Sequence, residues 1–146
     1  APAARTGGHW LDIPVLANGD IDSPAAARRV LAHCGAAGVM VGRAAQGAPW
    51  LPGQIAAALE GHPVPPAPAP EALLQIMAAH LRALHAFYGD VAGLRIARKH
   101  VGWYLEGLGA AAAQRQAFNR LESAQAQLQL LRSLPDSLRR PQAAAA

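Results

Sequence analysis

A run of prolines divides the chain at a place where neither a helix nor a central strand can continue. Five of the eight residues from 63 to 70 are proline, in the order Pro-Val-Pro-Pro-Ala-Pro-Ala-Pro. Proline fixes φ and lacks the amide proton that helices and sheets use, so this segment favours an extended, semi-rigid spacer. The run predicts a linker over residues 63–70 between two parts, residues 1–62 and residues 71–140. Residues 141–146 are predicted to be a frayed tail.

The part before the linker alternates between strand and helix patterns. Residues 13–17 are apolar throughout, which is typical of a strand buried on both faces in a parallel sheet. Ser23 and Pro24 favour a helix start, and Gly35 favours its end. A second strand is predicted over residues 38–42, and a second helix over roughly residues 49–59. Strand, helix and strand within about 30 residues form a βαβ unit with parallel strands.

Two parallel strands do not complete a sheet, because their edges remain unpaired. Residues 1–12 show no clear apolar period and predict no third strand. We therefore expect the first part to be the end of a larger α/β protein, or to begin with a segment that is not native.

The part after the linker is predicted to be entirely helical. Apolar residues recur at helical spacing in three stretches, and a short helix is expected near residues 111–117 between the second and the third. Three or four amphipathic helices with short connections predict a small bundle. The three stripes are Leu73, Met77, Leu81, Leu84 and Tyr88; Leu94, Ala97, Val101, Leu105 and Leu108; and Leu121, Ala124, Leu128 and Leu131.

Both predicted strands end in residues that suit an anion. The first is followed by Asn18, Gly19 and Asp20, and the second by Gly42 and Arg43. Ligands of parallel α/β folds lie at the carboxyl ends of the strands, where glycine lets a phosphate approach the backbone and arginine can pair with it. The pattern favours a phosphate site, and a turn glycine with a surface arginine is the alternative. Asp20 would repel the phosphate, so a helix-entry or backbone-fixing role suits it better.

A second candidate site lies on the predicted helix over residues 93–108. Arg95, Lys99 and Trp103 are four residues apart and share one face, with Arg98 at its border and His100 expected on the far side of Trp103. Residues 80–146 carry nine basic residues against four acidic ones, a balance of +5. Cations beside an aromatic ring suit a nucleic acid. Packing of Trp103 against a neighbouring helix, with solvated cations, is the alternative.

Composition argues against several other classes of protein. The one cysteine, Cys34, excludes an internal disulfide framework and is interpreted as a small packing residue. The six histidines show no metal-ligand spacing. No apolar run reaches the roughly 18 residues that a spanning helix needs, and no secretory signal opens the chain. These observations predict a soluble, cytoplasmic monomer without a metal or a membrane contact.

Three motifs resemble one enzyme family. They are Ile-Pro-Val-Leu-Ala-Asn-Gly-Asp-Ile at residues 13–21, Gly-Arg-Ala-Ala-Gln-Gly-Ala-Pro-Trp at residues 42–50, and Gly-Leu-Arg-Ile-Ala-Arg-Lys-His-Val-Gly-Trp-Tyr at residues 93–104. Their order and spacing are similar to those of the tRNA-dihydrouridine synthases, in the bacterial B-type branch. Phe118 and Asn119, interpreted as a helix start, fit the same branch. The resemblance covers residues 13 to about 133.

The resemblance implies a fold and an activity. The family is a flavin-dependent (β/α)8 TIM barrel followed by a helical tRNA-binding domain, and it reduces the C5–C6 double bond of particular uridines in tRNA with FMN and NADPH. It implies FMN contacts at Asn18, Gly19, Asp20, Gly42 and Arg43, and the helical domain gives RNA-binding candidates at Arg95, Arg98, Lys99 and Trp103.

The family's catalytic cysteine and its flavin-binding lysine and histidine have no counterpart at the matching positions. We therefore assign no catalytic residue, and the chain alone is expected to be inactive. The alternatives are a fragment of another FMN or sugar-phosphate barrel, or a non-enzymatic RNA-binding module.

Overall fold

The computed structural model describes residues 13–110 and 112–134 in full, and the strand backbone of residues 4–6 and 9–11. The chain divides into two compact units, Ala1–Ala67 and Pro68–Ala146. The boundary falls inside the proline-rich run.

The first unit begins with a hairpin that the sequence pattern did not predict. Strands β1 (Ala4–Thr6) and β2 (His9–Leu11) pair antiparallel, with Thr6 opposite His9. The prediction of no strand in residues 1–12 is therefore wrong. Strands of three residues are too short to show an alternating pattern. The two residues between them in the sequence are glycines, a pair that favours a two-residue hairpin connection.

The predicted βαβ unit is confirmed, with shorter strands. Strand β3 (Leu16–Asn18) pairs parallel with β4 (Gly38–Met40), and α1 (Pro24–Cys34) connects them. The Ser23 hydroxyl accepts a hydrogen bond from the Ala26 amide at the start of α1, and Gly35 ends it with a φ of 63°. A 3₁₀ turn (Arg43–Ala45) and helix α2 (Leu51–Leu59) follow.

The core of this unit lies between α1, α2 and the segment that leads into α1. Ile21, Ala27, Leu51 and Ile55 are buried together. The expected burial of the first strand on both faces is wrong in this chain, since Leu16 is 61% exposed. A sheet of two strands gives such a side chain no neighbouring strand on its outer side. Cys34, interpreted as a packing residue, is also exposed at the last position of α1.

The second unit is a helical bundle, as predicted. It contains α3 (Pro70–Gly107), α4 (Ala112–Asn119) and α5 (Ala124–Arg132). Pro70, assigned to the linker, is the first residue of α3, a position that tolerates proline because its amide would have no helical partner. Although α3 is long, neither it nor another helix in the described ranges is apolar enough to cross a membrane.

Helix α3 is a hairpin of two helical arms, a first arm over residues 70–88 and a second arm over residues 90–107. Gly89 has φ 72° and ψ −176°, a conformation that glycine adopts without strain and that reverses the chain direction. Close to the turn, a Cβ on Gly93 would lie 3.0 Å from the Cα of His85 and 3.2 Å from the Leu84 carbonyl oxygen. The two arms can approach this closely because residue 93 has no side chain.

The first two predicted apolar stripes are confirmed except at Tyr88 and Leu94, and the third is confirmed only at Leu131. Tyr88 is 47% exposed, because its stripe continues to the tip of the hairpin. In α5 the fully buried residue besides Leu131 is Gln127, while Leu128 is only half-buried. Phe118 and Asn119 end α4 rather than begin a helix, and Phe118 is buried.

Candidate functional site

The two strand ends open into one cleft, as the parallel pairing requires. Its volume is about 850 Å³, within the range of small-molecule sites. Both sequence motifs contribute to its walls. The lining residues are Asn18, Gly19, Asp20, Ile21, Asp22, Gly42, Arg43 and Ala44.

The turn after β3 has an unusual backbone. Gly19 has a φ of 146°, and Asp20 has a φ of 42°, the one non-glycine residue with a positive φ in the described part of the chain. Aspartate is among the residues that adopt this left-handed conformation most readily. The turn brings the Asp20 carboxylate to the Arg43 side chain.

Asp20 and Arg43 form an ion pair across the cleft. The Arg43 Nη2 donates to Asp20 Oδ1, and both side chains are 81% exposed. An exposed pair of this kind adds about 0–1 kcal/mol to stability, so its main consequence is the position of the guanidinium. The sequence predicted a helix-entry or backbone-fixing role for Asp20, and its observed partner is the side chain of Arg43.

The donor set of the cleft fits a phosphate group. The Arg43 guanidinium has five N–H groups, of which one contacts Asp20. No atom lies within 4 Å of a Cβ built on Gly19 or Gly42, so a ligand can approach the backbone there. The acidic groups oppose an anion, but Asp20 pairs with Arg43 and Asp22 accepts a hydrogen bond from the Ser23 hydroxyl at 3.0 Å.

The helical face predicted from the sequence lies on the second arm of α3. Arg95 and Lys99 are exposed, and Trp103 is half-buried. The Lys99 ammonium lies 5.1 Å from the centroid of the Trp103 ring, a distance typical of a cation–π contact. Exposed cations and a reachable aromatic ring therefore share one surface.

Arg98 differs from the other candidates on this helix. It is half-buried, and its Nη2 donates to the Leu121 carbonyl oxygen at 3.2 Å. Its Nε is also buried and has no hydrogen-bond partner among the described residues. These contacts connect α3 to the segment before α5, which gives Arg98 a structural role.

The structure adds a cluster of rings that the sequence reasoning missed. His80 Nδ1 lies 3.2 Å from the Tyr104 hydroxyl oxygen, and the His80 and His100 ring centroids are 4.8 Å apart. His100 lies 4.9 Å from Trp103, so it contacts the ring from which the sequence analysis had separated it. His80 is on the first arm, so its contacts with His100 and Tyr104 depend on the reversal at Gly89. Helical spacing alone does not show which side chains of the two arms contact each other.

A family model described as Dihydrouridine synthase (Dus) matches residues 9–139. The chain belongs to the dihydrouridine synthase family. This match includes both strand-end motifs and the helical face, and the resemblance noted in the sequence is confirmed.

Curated relatives named tRNA-dihydrouridine synthase B support the assignment. The relative from Xanthomonas axonopodis is 50% identical over 128 residues, which are 88% of this chain and 39% of the relative. The relative from Pseudomonas syringae is 54% identical over 117 residues, which are 80% of this chain and 35% of the relative. The chain thus spans less than half the length of these relatives.

No cluster of three or more metal-ligating side chains occurs within the residues that the structure describes. The titratable groups whose pKa values are shifted belong to the ring cluster. Burial lowers the pKa of His80. Burial, followed by the charges of His80 and Lys99, lowers the pKa of His100. Burial raises the pKa of the Tyr104 hydroxyl.

The lowered histidine pKa values predict a loss of stability in acid. The unfolded chain binds protons at these histidines near pH 6.5, whereas the folded chain binds them only at lower pH. Their contribution is therefore fully present above pH 6.5 and is lost as the pH falls through the lowered pKa values. Urea unfolding between about pH 7.5 and 5.5 should show a smaller decline for His100→Gln than for the parent. An equal decline would contradict the prediction, and His33→Gln, which changes an exposed histidine, is the control.

Proposed function

We propose that this chain is part of a tRNA-dihydrouridine synthase. The first unit would supply the last strands and helices of the family's TIM barrel, and the second unit would be the helical tRNA-binding domain. The proposal is supported by the names of the relatives and by the cleft that joins the Asn-Gly-Asp and Gly-Arg motifs. That cleft is the observation that carries it.

The cleft would hold the phosphate end of FMN. Arg43 would pair with the phosphate through N–H groups that Asp20 does not use, while Gly19 and Gly42 let the ligand reach the backbone and the Asn18 amide supplies a further polar group. When bound, FMN supplies the hydride, obtained from NADPH, that reduces the C5–C6 double bond of a uridine. The residues of this chain would bind and orient the cofactor, and none is assigned to proton transfer.

The helical unit would contact tRNA through the second arm of α3. Arg95 and Lys99 offer cations for phosphates, and Trp103 offers a ring for stacking. The positive balance of residues 80–146 supports attraction of a polyanion. Arg98 is left out of this contact surface because its guanidinium already serves the Leu121 carbonyl.

Arg43→Ala tests the cofactor site. In a complete barrel that includes this chain, the substitution should weaken FMN binding about ten- to a hundredfold, since a charge-assisted phosphate contact contributes roughly 1.5–3 kcal/mol. Riboflavin, which lacks the phosphate, should bind the parent and the variant equally. Flavin fluorescence titration gives both affinities. Arg29→Ala, an exposed arginine on α1, is the matched control, and unchanged FMN affinity in Arg43→Ala would make Arg43 a solvated surface residue.

Flavin content and tRNA affinity, measured separately on the purified chain, distinguish this function from the alternatives. A purified chain that binds tRNA but no flavin, together with a complete barrel in which Arg43→Ala leaves FMN affinity unchanged, would favour the RNA-binding module.

A further inference from the structure

Four rings form a continuous row across the α3 hairpin. The row begins at Tyr104, which is buried, and passes through His80 and His100 to Trp103 near the surface. Its two ends differ in environment, since Tyr104 packs in the bundle core while Trp103 is reached by the exposed Lys99. The hydrogen bond between His80 and Tyr104 anchors the row on the buried side.

His100 occupies the position in this row that determines how Trp103 is held. Its ring meets both His80 and Trp103 at steep angles, 70° and 82° respectively. Such edge-to-face contacts are directional, so the ring fixes the orientation of its neighbour as well as its distance. A second contact to the Trp103 ring comes from Lys99, whose side chain is long and exposed.

We propose that His100 is a positioning residue that holds Trp103 ready to stack on an unpaired base of tRNA. The inference rests on the proposed function of the helical unit and extends it to a residue that touches no RNA. Lys99 covers the place on the ring that a base would take, and its ammonium would then turn to a backbone phosphate.

The charge of the row favours a base over a phosphate at Trp103. The pKa values of His80 and His100 are both lowered, so their rings are neutral at pH 7. Neutral histidines add no further cation beside Trp103 that would attract a phosphate to it, and the indole ring of Trp103 itself presents a π surface on which any base can stack. Phosphate contacts are left to the cations of the same face, Arg95 and Lys99.

Holding Trp103 in one orientation before binding removes part of the entropy cost of ordering it. His100→Ala should therefore weaken binding of an unmodified tRNA transcript by the 146-residue chain about three- to tenfold. The dependence on salt should not change, because no phosphate contact is lost. His100→Phe keeps an aromatic edge against Trp103 and should recover most of the affinity. Such a recovery would show that the aromatic ring at residue 100, and not a polar group of the histidine, is what matters.

Affinities are measured for the parent, His100→Ala and His100→Phe, with His33→Ala as the control for loss of an exposed histidine. A His100→Ala variant that binds like the parent overturns the inference and leaves the proposed function intact. A parent that does not bind tRNA overturns both. If His100→Ala does not fold, His100→Phe decides, and a folded Phe variant that binds tenfold more weakly contradicts the inference.

The orientation of Trp103 gives a second readout that does not depend on RNA. In chain labelled with 5-fluorotryptophan, the Trp103 signal in the ¹⁹F NMR spectrum is assigned by its loss in Trp103→Phe. His100→Ala should narrow this signal and shift it toward that of a solvated indole, while His100→Phe should leave it near the parent position. An unchanged signal in His100→Ala would show that His100 does not hold the ring.

Discussion

Replacing Gln127 with leucine should lower the free energy of unfolding by about 1–3 kcal/mol. Gln127 is 0% exposed, and its Oε1 accepts a hydrogen bond from His85 Nε2 at 2.8 Å. Its Nε2 donates to the Leu94 carbonyl oxygen at 3.3 Å. Leucine fills a similar volume but removes both hydrogen bonds, which contribute roughly 0.5–1.5 kcal/mol each. Urea unfolding followed by circular dichroism measures the difference.

Gln125→Leu is the matched control for this prediction. Gln125 is exposed on the same helix, α5, so the same chemical change there should alter stability by no more than about 0.5 kcal/mol. Equal effects of the two substitutions would mean that Gln127 does not connect α5 to the arms of α3.

The role of Gln127 shows where helical periodicity stops being informative. The pattern assigned the buried face of this region to Leu121, Ala124, Leu128 and Leu131, because apolar residues at helical spacing normally face the core and polar residues normally face solvent. Gln127 is buried because His85 and the Leu94 carbonyl meet it from the two arms of the α3 hairpin. That meeting depends on the reversal at Gly89. The two stripes predicted two helices with a short connection here, but helical spacing does not show which side chains of the two arms contact each other.

The position of the cleft could be predicted from the sequence, because it follows from the order and direction of the two strands. Two parallel strands joined by a helix must end at the same edge of the sheet, so Asn18, Gly19 and Asp20 had to approach Gly42 and Arg43. The pairing of Asp20 with Arg43 required the left-handed turn at Asp20, which residue type permits but does not dictate. Arg98 shows the opposite case, since its neighbours Arg95 and Lys99 are exposed while its own guanidinium turns inward to the Leu121 carbonyl.

The double substitution Arg95→Ala and Lys99→Ala should weaken tRNA binding roughly a hundred- to ten-thousandfold at low salt, if each cation contributes one phosphate contact of about 1.5–3 kcal/mol. Each contact also releases counterions, so the slope of log K against log salt concentration should become shallower by about one to two units. Filter binding at several salt concentrations between roughly 50 and 200 mM gives both quantities. The substitutions should barely change stability, because both side chains are exposed.

The matched control removes two exposed arginines elsewhere in the helical unit, Arg82 and Arg120. It lowers the net charge by the same amount, so a reduced slope of equal size would indicate attraction by overall charge and no defined contact surface.

Trp103→Ala separates the two alternatives for the aromatic ring, stacking on RNA and packing in the bundle. A stacking role predicts a loss of about 1–3 kcal/mol in binding with an unchanged slope, whereas a packing role predicts about 3–5 kcal/mol in stability. Because Trp103 is half-buried and contacts His100 and Lys99, we expect the binding loss to exceed the stability loss. The reverse order would return Trp103 to the core of the bundle and leave Arg95 and Lys99 as the tRNA contacts of α3.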